Sequence, residues 1–226
     1  MEKFGEKVYS ALVENFSQTF FVGGMVRDVL LGREVMDIDI ATSAPPEQII
    51  KTLKEWGIEY SDLHKKFGNI IAKQGSSEIE ITTLRKDTHT SGRYSQVTFV
   101  KTPKADSGRR DFSVNALYLK LNPLKILDFH TGLKDLKGRK LKFIGKPFQR
   151  IQEDPLRILR ALRFALVLNF RLDNKTYTAI KNNFNLLENL TQSRTQKEIK
   201  KITSPQKRKI LEEVVNEPKT LDKYFK

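Results

Sequence analysis

The sequence predicts an α+β fold, with a mixed strand-and-helix head followed by a small all-helical region. Three observations predict it. Short runs with strand-like alternation, punctuated by glycine and proline, recur among helical patterns up to about residue 144. From Phe148 onward only helical periodicity remains. No internal repeat or low-complexity linker interrupts this order, so a boundary near residue 146 is expected, with a head of 1–146 and a helical part of 147–226. The 226 residues suffice to bury roughly 70% of the unfolded surface, and 14 Phe argue against disorder.

The elements follow in order. Phe4, Val8, Leu12 and Phe16 recur every four residues and predict an amphipathic opening helix. Gln18–Val22 is β-rich and stops at Gly23–Gly24; Met25–Leu31 then reads as a helix ending at Gly32. Met36–Ala41 alternates apolar with acidic, the period of a half-buried strand. Ser43, Pro45 and Pro46 open a helix that reaches the apolar Trp56 and is closed by Gly57. Phe67–Lys73, Glu78–Leu84 and Val97–Lys101 read as strands, and the Ser/Thr-rich stretch Arg85–Gln96 as a mobile loop. A helix is expected over Arg109–Leu117, and short strands over Ile126–Phe129 and Lys140–Ile144. Helices are expected over about 155–168, 173–187, 192–203 and 205–216.

Composition excludes whole classes of function. Without cysteine there is no disulfide, zinc ribbon or thiol catalysis. No apolar run approaches the ~20 residues of a membrane span, and the N-terminal stretch lacks a signal-like apolar core. A cytoplasmic protein with no membrane partner is expected. The formal charge is +14 and unevenly placed. Residues 1–100 carry 12 basic and 14 acidic side chains, residues 101–163 carry 16 and 6, and residues 164–226 carry 13 and 7. A near-neutral first part suits a cation site, and the basic remainder suits a polyanion such as nucleic acid.

Asp37 and Asp39 are two apart on a strand, so both carboxylates leave one face and form a hard-oxygen pair suited to Mg²⁺. Glu80 lies in EIEITTL, a second strand that closes such a site from beside it, with Glu78 on the same face as a competitor. The run FFVGGMVRD is strand, two glycines and helix, an arrangement that lets backbone approach a phosphate. Arg27 lies in the helix's first turn and supplies charge. His64, His89 and His130 show no ligand-like clustering.

Three blocks then carry a resemblance. FVGGMVRDVLLGREVMDIDIAT resembles the first motif of the class II tRNA nucleotidyltransferases, the CCA-adding enzymes, which share it with bacterial poly(A) polymerases. RRDFSVNAL, from Arg109, resembles the ribose-selecting motif, and EDPLRILRALRFA, from Glu153, the motif that reads the incoming base. A further neck motif falls near SRTQKEIKKI from Ser193, and no role is carried over from it. The resemblance implies a polymerase-beta-like nucleotidyltransferase head with a mixed five-stranded sheet, then a helical neck. It implies Mg²⁺ on Asp37 and Asp39, and nucleotide phosphates at Gly23, Gly24 and Arg27. It implies sugar recognition by Arg110 and Asp111, and base recognition by Asp154 and Arg157 supported by Arg160 and Arg163. Helical drift turns Arg163 about 120° from Arg157, which suits it to bracing the site. The implied reaction adds CMP and AMP from CTP and ATP to a tRNA 3′ end. Addition of A alone, of CC alone, poly(A) synthesis and an inactive RNA-binding module are the rival readings. The loop with Arg85, Asp87 and Arg93 resembles the one used when switching from C to A.

Cytosine and adenine both present an amino donor beside a ring-nitrogen acceptor, so one carboxylate–guanidinium pair accepts both and mismatches uracil and guanine. Asp154 before Pro155 is equally well placed as a helix cap, and that reading stands beside the first. Family members continue as a helical body and tail that grip tRNA. The resemblance therefore implies a minimal protein, a fragment, or a partner (a second copy or another protein) that replaces the missing tail.

Overall fold

The computed structural model describes residues 2–91 and 94–225. It divides into two compact units: Met1–His89 with Ser95–Arg110 and Val114–Gly132, and Thr90–Tyr94 with Asp111–Ser113 and Leu133–Lys226. The division falls at Gly132 and places Asp111–Ser113 in the second unit, whereas the change to helical periodicity suggested 146.

In chain order the first unit has α1 (Glu2–Val13), β1 (Thr19–Val22), α2 (Gly24–Leu30), β2 (Ile38–Thr42) and α3 (Pro46–Glu55). Next come β3 (Glu59–Ser61), β4 (Asn69–Gln74), β5 (Ser77–Thr83), β6 (Arg85–Ser91) and β7 (Tyr94–Phe99). Then follow α4 (Pro103–Ser107), β8 (Leu117–Lys120) and β9 (Lys125–Asp128). The main sheet has seven strands in the order β3-β4-β5-β2-β1-β8-β9, not the expected five. The short strands at its two edges, β3 and β9, account for the difference. All neighbours are antiparallel except β2 and β5, whose parallel pairing needs the long connection through α3, β3 and β4.

Alternation sorts the strand residues onto two faces. Ile38 and Ile40 of β2, Phe21 of β1, and Ile79 and Ile81 of β5 pack with Phe4, Val8 and Leu12 of α1 and with Ile49 and Leu53 of α3. Trp56 lies partly buried against this core, as expected of the helix end it marks. Phe20, Val22, Ala41, Leu84 and Tyr118 form a smaller cluster on the opposite face.

Two expectations are corrected here. The described residues of the stretch Arg85–Gln96 are strand rather than loop: β6 and β7 form their own two-stranded sheet. Its threonines, which signalled a polar loop, are also good strand formers. The helix expected over Arg109–Leu117 does not form either. Ser113 N donates to Lys142 O and Ile144 N to Asp111 O, holding Asp111–Ser113 in extended pairing, and Leu117 opens β8. Apolar residues at helical spacing here serve tertiary partners instead: Phe112 stacks on Phe143 at 4.9 Å.

The remaining elements are α5 (Gly132–Lys137), β10 (Lys140–Leu141), α6 (Pro147–Glu153), α7 (Leu156–Leu168), β11 (Arg171–Leu172), α8 (Asn174–Asn182), α9 (Gln192–Lys200), α10 (Pro205–Asn216) and α11 (Leu221–Phe225). The second unit buries Ile151, Ile158, Leu159, Leu162, Ile180, Ile199, Leu211 and Val214, the inward stripes of successive amphipathic helices. No helix among the described residues is long and apolar enough to cross a membrane.

Candidate functional site

The carboxylates of the first unit lie on the sheet face opposite α1 and α3, because Asp39 alternates with Ile38 and Ile40, and Glu80 with Ile79 and Ile81. Asp39 and Glu80 are register partners across the parallel β2–β5 pair. Asp37 is exposed just before β2, which starts at Ile38. Burial, then the Glu80 charge, raise the Asp39 carboxyl from 3.8 to about 6, with Arg110 opposing and Asp37 adding to the rise. Glu78 is drawn away into an ion pair with Lys73 at 2.9 Å, so Glu80 is the neighbour Asp39 feels. Glu80 also accepts from Asn69 Nδ2. Among the described residues no three His, Cys, Asp or Glu side chains are gathered to hold a metal ion, so Glu80 does not complete a cage with the aspartates.

Gly23 ends β1 with φ +73° and ψ −136°, a conformation closed to other residues. A Cβ there would lie 3.3 Å from Asp39 Oδ2 and 3.5 Å from Arg110 Nη1. The bare backbone thus lets a carboxylate and a guanidinium close in on the turn. Gly24 begins α2, and Arg27 in that helix is buried. Arg27 grips both oxygens of Asp28 at 2.9 and 2.7 Å and donates to Asn115 Oδ1. Arg110 lies over the Tyr118 ring at 5.0 Å, and its Nε donates to Tyr118 Oη at 3.0 Å and to Asp106 Oδ2 at 3.4 Å.

In the second unit Asp111 is held by Arg160, whose Nε donates to Oδ2 at 2.9 Å and whose Nη2 completes the pair. The carboxylate expected to read the sugar and one arginine expected to support base reading are therefore partners of each other. Asp154 Oδ1 accepts Leu156 N at 3.1 Å, so this carboxylate does cap the start of α7, with Pro155 at the N-cap rather than inside the helix. The same carboxylate takes Arg194 Nη2 on both oxygens, at 3.0 and 3.2 Å. Arg157 Nη1 donates to Glu153 and to Arg150 O rather than to Asp154. Arg163 faces away, as the helical drift predicts. It is buried, pairs with Glu198 of α9 and lies 4.0 Å over the Phe164 ring.

Beyond the motifs, Arg85 and Asp87 form a loose pair at 3.7 Å in β6, and Arg93 lies outside the described residues. His130 Nε2 lies 2.9 Å from Ser107 Oγ; the side chain of His89 lies outside the described residues.

Residues 19–142 match the protein family described as the poly A polymerase head domain, more than half of the chain. The chain belongs to this family. The likeness extends to the CCA-adding enzyme of Lactococcus lactis subsp. lactis, 41% identical over 192 residues that cover 83% of this chain and 47% of that protein. The CCA-adding enzyme of Streptococcus pyogenes serotype M2 is 41% identical over 190 residues, covering 82% and 45%. Among solved structures, the Bacillus stearothermophilus CCA-adding enzyme in complex with CTP has a TM-score of 0.76 at 33% identity, covering 85% of this chain and 46% of that one. A tRNA nucleotidyltransferase complexed with a primer tRNA and an incoming ATP analog has 0.71 at 30% identity, covering 90% and 58%. The chain spans about half the length of the curated relatives it matches. Family and fold class stand as the motifs implied.

Four residues that sequence reasoning did not single out hold these groups: Asp106, Tyr118, Arg194 and Glu198. Arg194 and Glu198 fall inside SRTQKEIKKI, the neck segment to which no role was assigned. Asp106 carried no signal, since one Asp on a short helix looks like any solvated surface residue.

Proposed function

We propose that this chain is a template-independent RNA nucleotidyltransferase that adds CMP and AMP from CTP and ATP to the 3′ end of tRNA. The observation that carries the reading is the convergence of Asp39 and Arg110 on the Gly23 turn. A glycine turn approached by the carboxylate of an acidic strand and by a guanidinium suits a nucleotide triphosphate. The names of the relatives and neighbours support the substrate class.

The donor set fits a divalent cation. Asp39 on β2 and Asp37 just before it offer two carboxylates that suit Mg²⁺, which completes its shell with water and substrate phosphates rather than a protein cage. Burial first, and then the charges of Glu80 and Asp37, disfavour an ionised Asp39 carboxyl, a cost that a bound cation would offset. Asp37 and Asp39 would hold the cation, which would supply a lowered pKa for an attacking hydroxyl and neutralisation of charge on the phosphoryl oxygens. The protein's own work is positioning. Gly23 and Gly24 admit the phosphates, and Arg27, locked on Asp28 and Asn115, fixes the helix behind them. Arg110 and Asp111 address the sugar. Asp154 accepts from the base amino group while Arg194 holds it, and Arg157, anchored through Nη1, presents donors to the ring nitrogen.

The test is incorporation on a tRNA ending at its discriminator base, given CTP, ATP or both, with products sized. Three added nucleotides with both substrates is the expected result. A long ladder from ATP favours poly(A) synthesis, the second reading, which the family description itself motivates. No incorporation with any divalent metal sinks both. In the same assay Asp154→Ala is expected to admit UTP or GTP. Retained C/A choice with a lowered melting temperature would reduce Asp154 to the helix cap it also is.

A further inference from the structure

Asp106 is the most enclosed carboxylate of the first unit, with no exposed surface. It accepts Tyr118 Oη at 2.6 Å, Arg109 Nε at 2.8 Å, Arg85 N at 2.9 Å and Arg110 Nε at 3.4 Å. These donors come from three separate stretches: the first residue of β6, the turn after α4, and β8. Tyr118 is itself fully buried, is edge-on to Phe20 at 5.9 Å, and accepts from Arg110 Nε. Arg110 is therefore seated from below by a ring, a phenol oxygen and a carboxylate. Its Nη1 side faces the Gly23 turn, 3.5 Å from where a Cβ would stand.

A buried ion costs several kcal/mol to desolvate and is weak evidence of stability in itself. Two arginines converging on one buried carboxylate also repel each other, an arrangement that needs the anion between them. What the network achieves is a single placement for a guanidinium that would otherwise sample many rotamers. Preorganised donors act most strongly where water is excluded and no rearrangement is needed on binding.

We propose that Asp106, with Tyr118, is a positioning residue that fixes Arg110 for recognition of the ribose of the incoming nucleotide. The proposal rests on the reading that the Gly23 turn receives a ribonucleotide. Asp106 touches no substrate; it acts through Arg110. Losing it frees the guanidinium, so the site keeps its phosphate contacts but loses its grip on the sugar hydroxyls.

The test is equilibrium binding of CTP and dCTP to the full chain, with melting temperature and incorporation measured in parallel. Asp106→Asn is expected to weaken CTP about tenfold, leave dCTP within about twofold, and so collapse the ribo/deoxy ratio. Tyr118→Phe, which keeps the buried volume, is expected to shift the same ratio in the same direction by less. In an Arg110→Lys background, Asp106→Asn is expected to add almost nothing, because both changes remove one function. An unchanged CTP/dCTP ratio in folded Asp106→Asn or Tyr118→Phe overturns the proposal, as does full additivity with Arg110→Lys. A wild-type chain that binds CTP over dCTP but incorporates nothing overturns the transferase reading and leaves this one standing. A wild-type chain that binds neither overturns both.

Discussion

Burial and the Glu80 charge hold the Asp39 carboxyl near 6 instead of 3.8. A folded-state value above the unfolded one means that the folded chain binds the proton more tightly. The stability this group contributes is present below about pH 4 and is lost as pH rises through about 6. The shift of about two units corresponds to roughly 3 kcal/mol in the metal-free protein at neutral pH. Asp39→Asn is therefore expected to raise the melting temperature by several degrees at pH 8, to change it little at pH 4, and to abolish incorporation. Thermal melts of both proteins across that range check it; a stabilisation independent of pH would point to packing instead. The face that Asp39 takes was legible because a two-residue period states which face a side chain leaves, whereas Asp37 falls just before the strand. Their partners were not legible, because Asp106 acquires its meaning only when Arg85 and Tyr118, far apart in sequence, meet it.

Among the elements, α7 and α9 are joined by Arg163 and Glu198, both buried. Burial works to raise the Glu198 carboxyl, but Arg163, Lys201 and Arg160 outweigh it and hold it below 4.5. The sign is opposite to that of Asp39: the stability it contributes is present above pH 4.5 and is lost as pH falls through the lowered value. Glu198→Gln leaves a buried guanidinium without its anion, and a loss of about 3 kcal/mol at pH 7 is expected in denaturant unfolding. That loss should shrink when the wild type is titrated below pH 4. An equal loss at both pH values would mean that packing, not charge, joins the helices. The long amphipathic helices and the strands of the sheet centre were readable from period alone. The short edge strand β3 and the polar β6 were not, since three residues or a run of Ser and Thr become strands only beside a partner strand.

At the scale of the whole molecule the positive excess lies entirely beyond residue 100, while residues 1–100 carry 12 basic and 14 acidic side chains. On the proposed function, tRNA bound through these basic residues is expected to release counterions. With about six phosphate contacts, affinity is expected to fall on the order of 10³-fold between 50 and 200 mM salt. Filter binding at several salt concentrations measures the slope, and a flat dependence would remove the electrostatic grip. This asymmetry was legible from the first count of residues. The division into units was not, because Asp111–Ser113 belongs by contact to a part of the chain that begins again only at Leu133.

Strand β1 lies between β2, its neighbour in sequence, and β8, which follows β2 in the chain only after five intervening strands. The β1–β2 pair closes a short loop and is entropically cheap; the β1–β8 pair closes a long one and comes late. Tyr118 sits on that late strand opposite Val22. A nascent chain thus carries its acidic strand well before it can seat Arg110, so the site proposed at the Gly23 turn is expected to be completed late in folding.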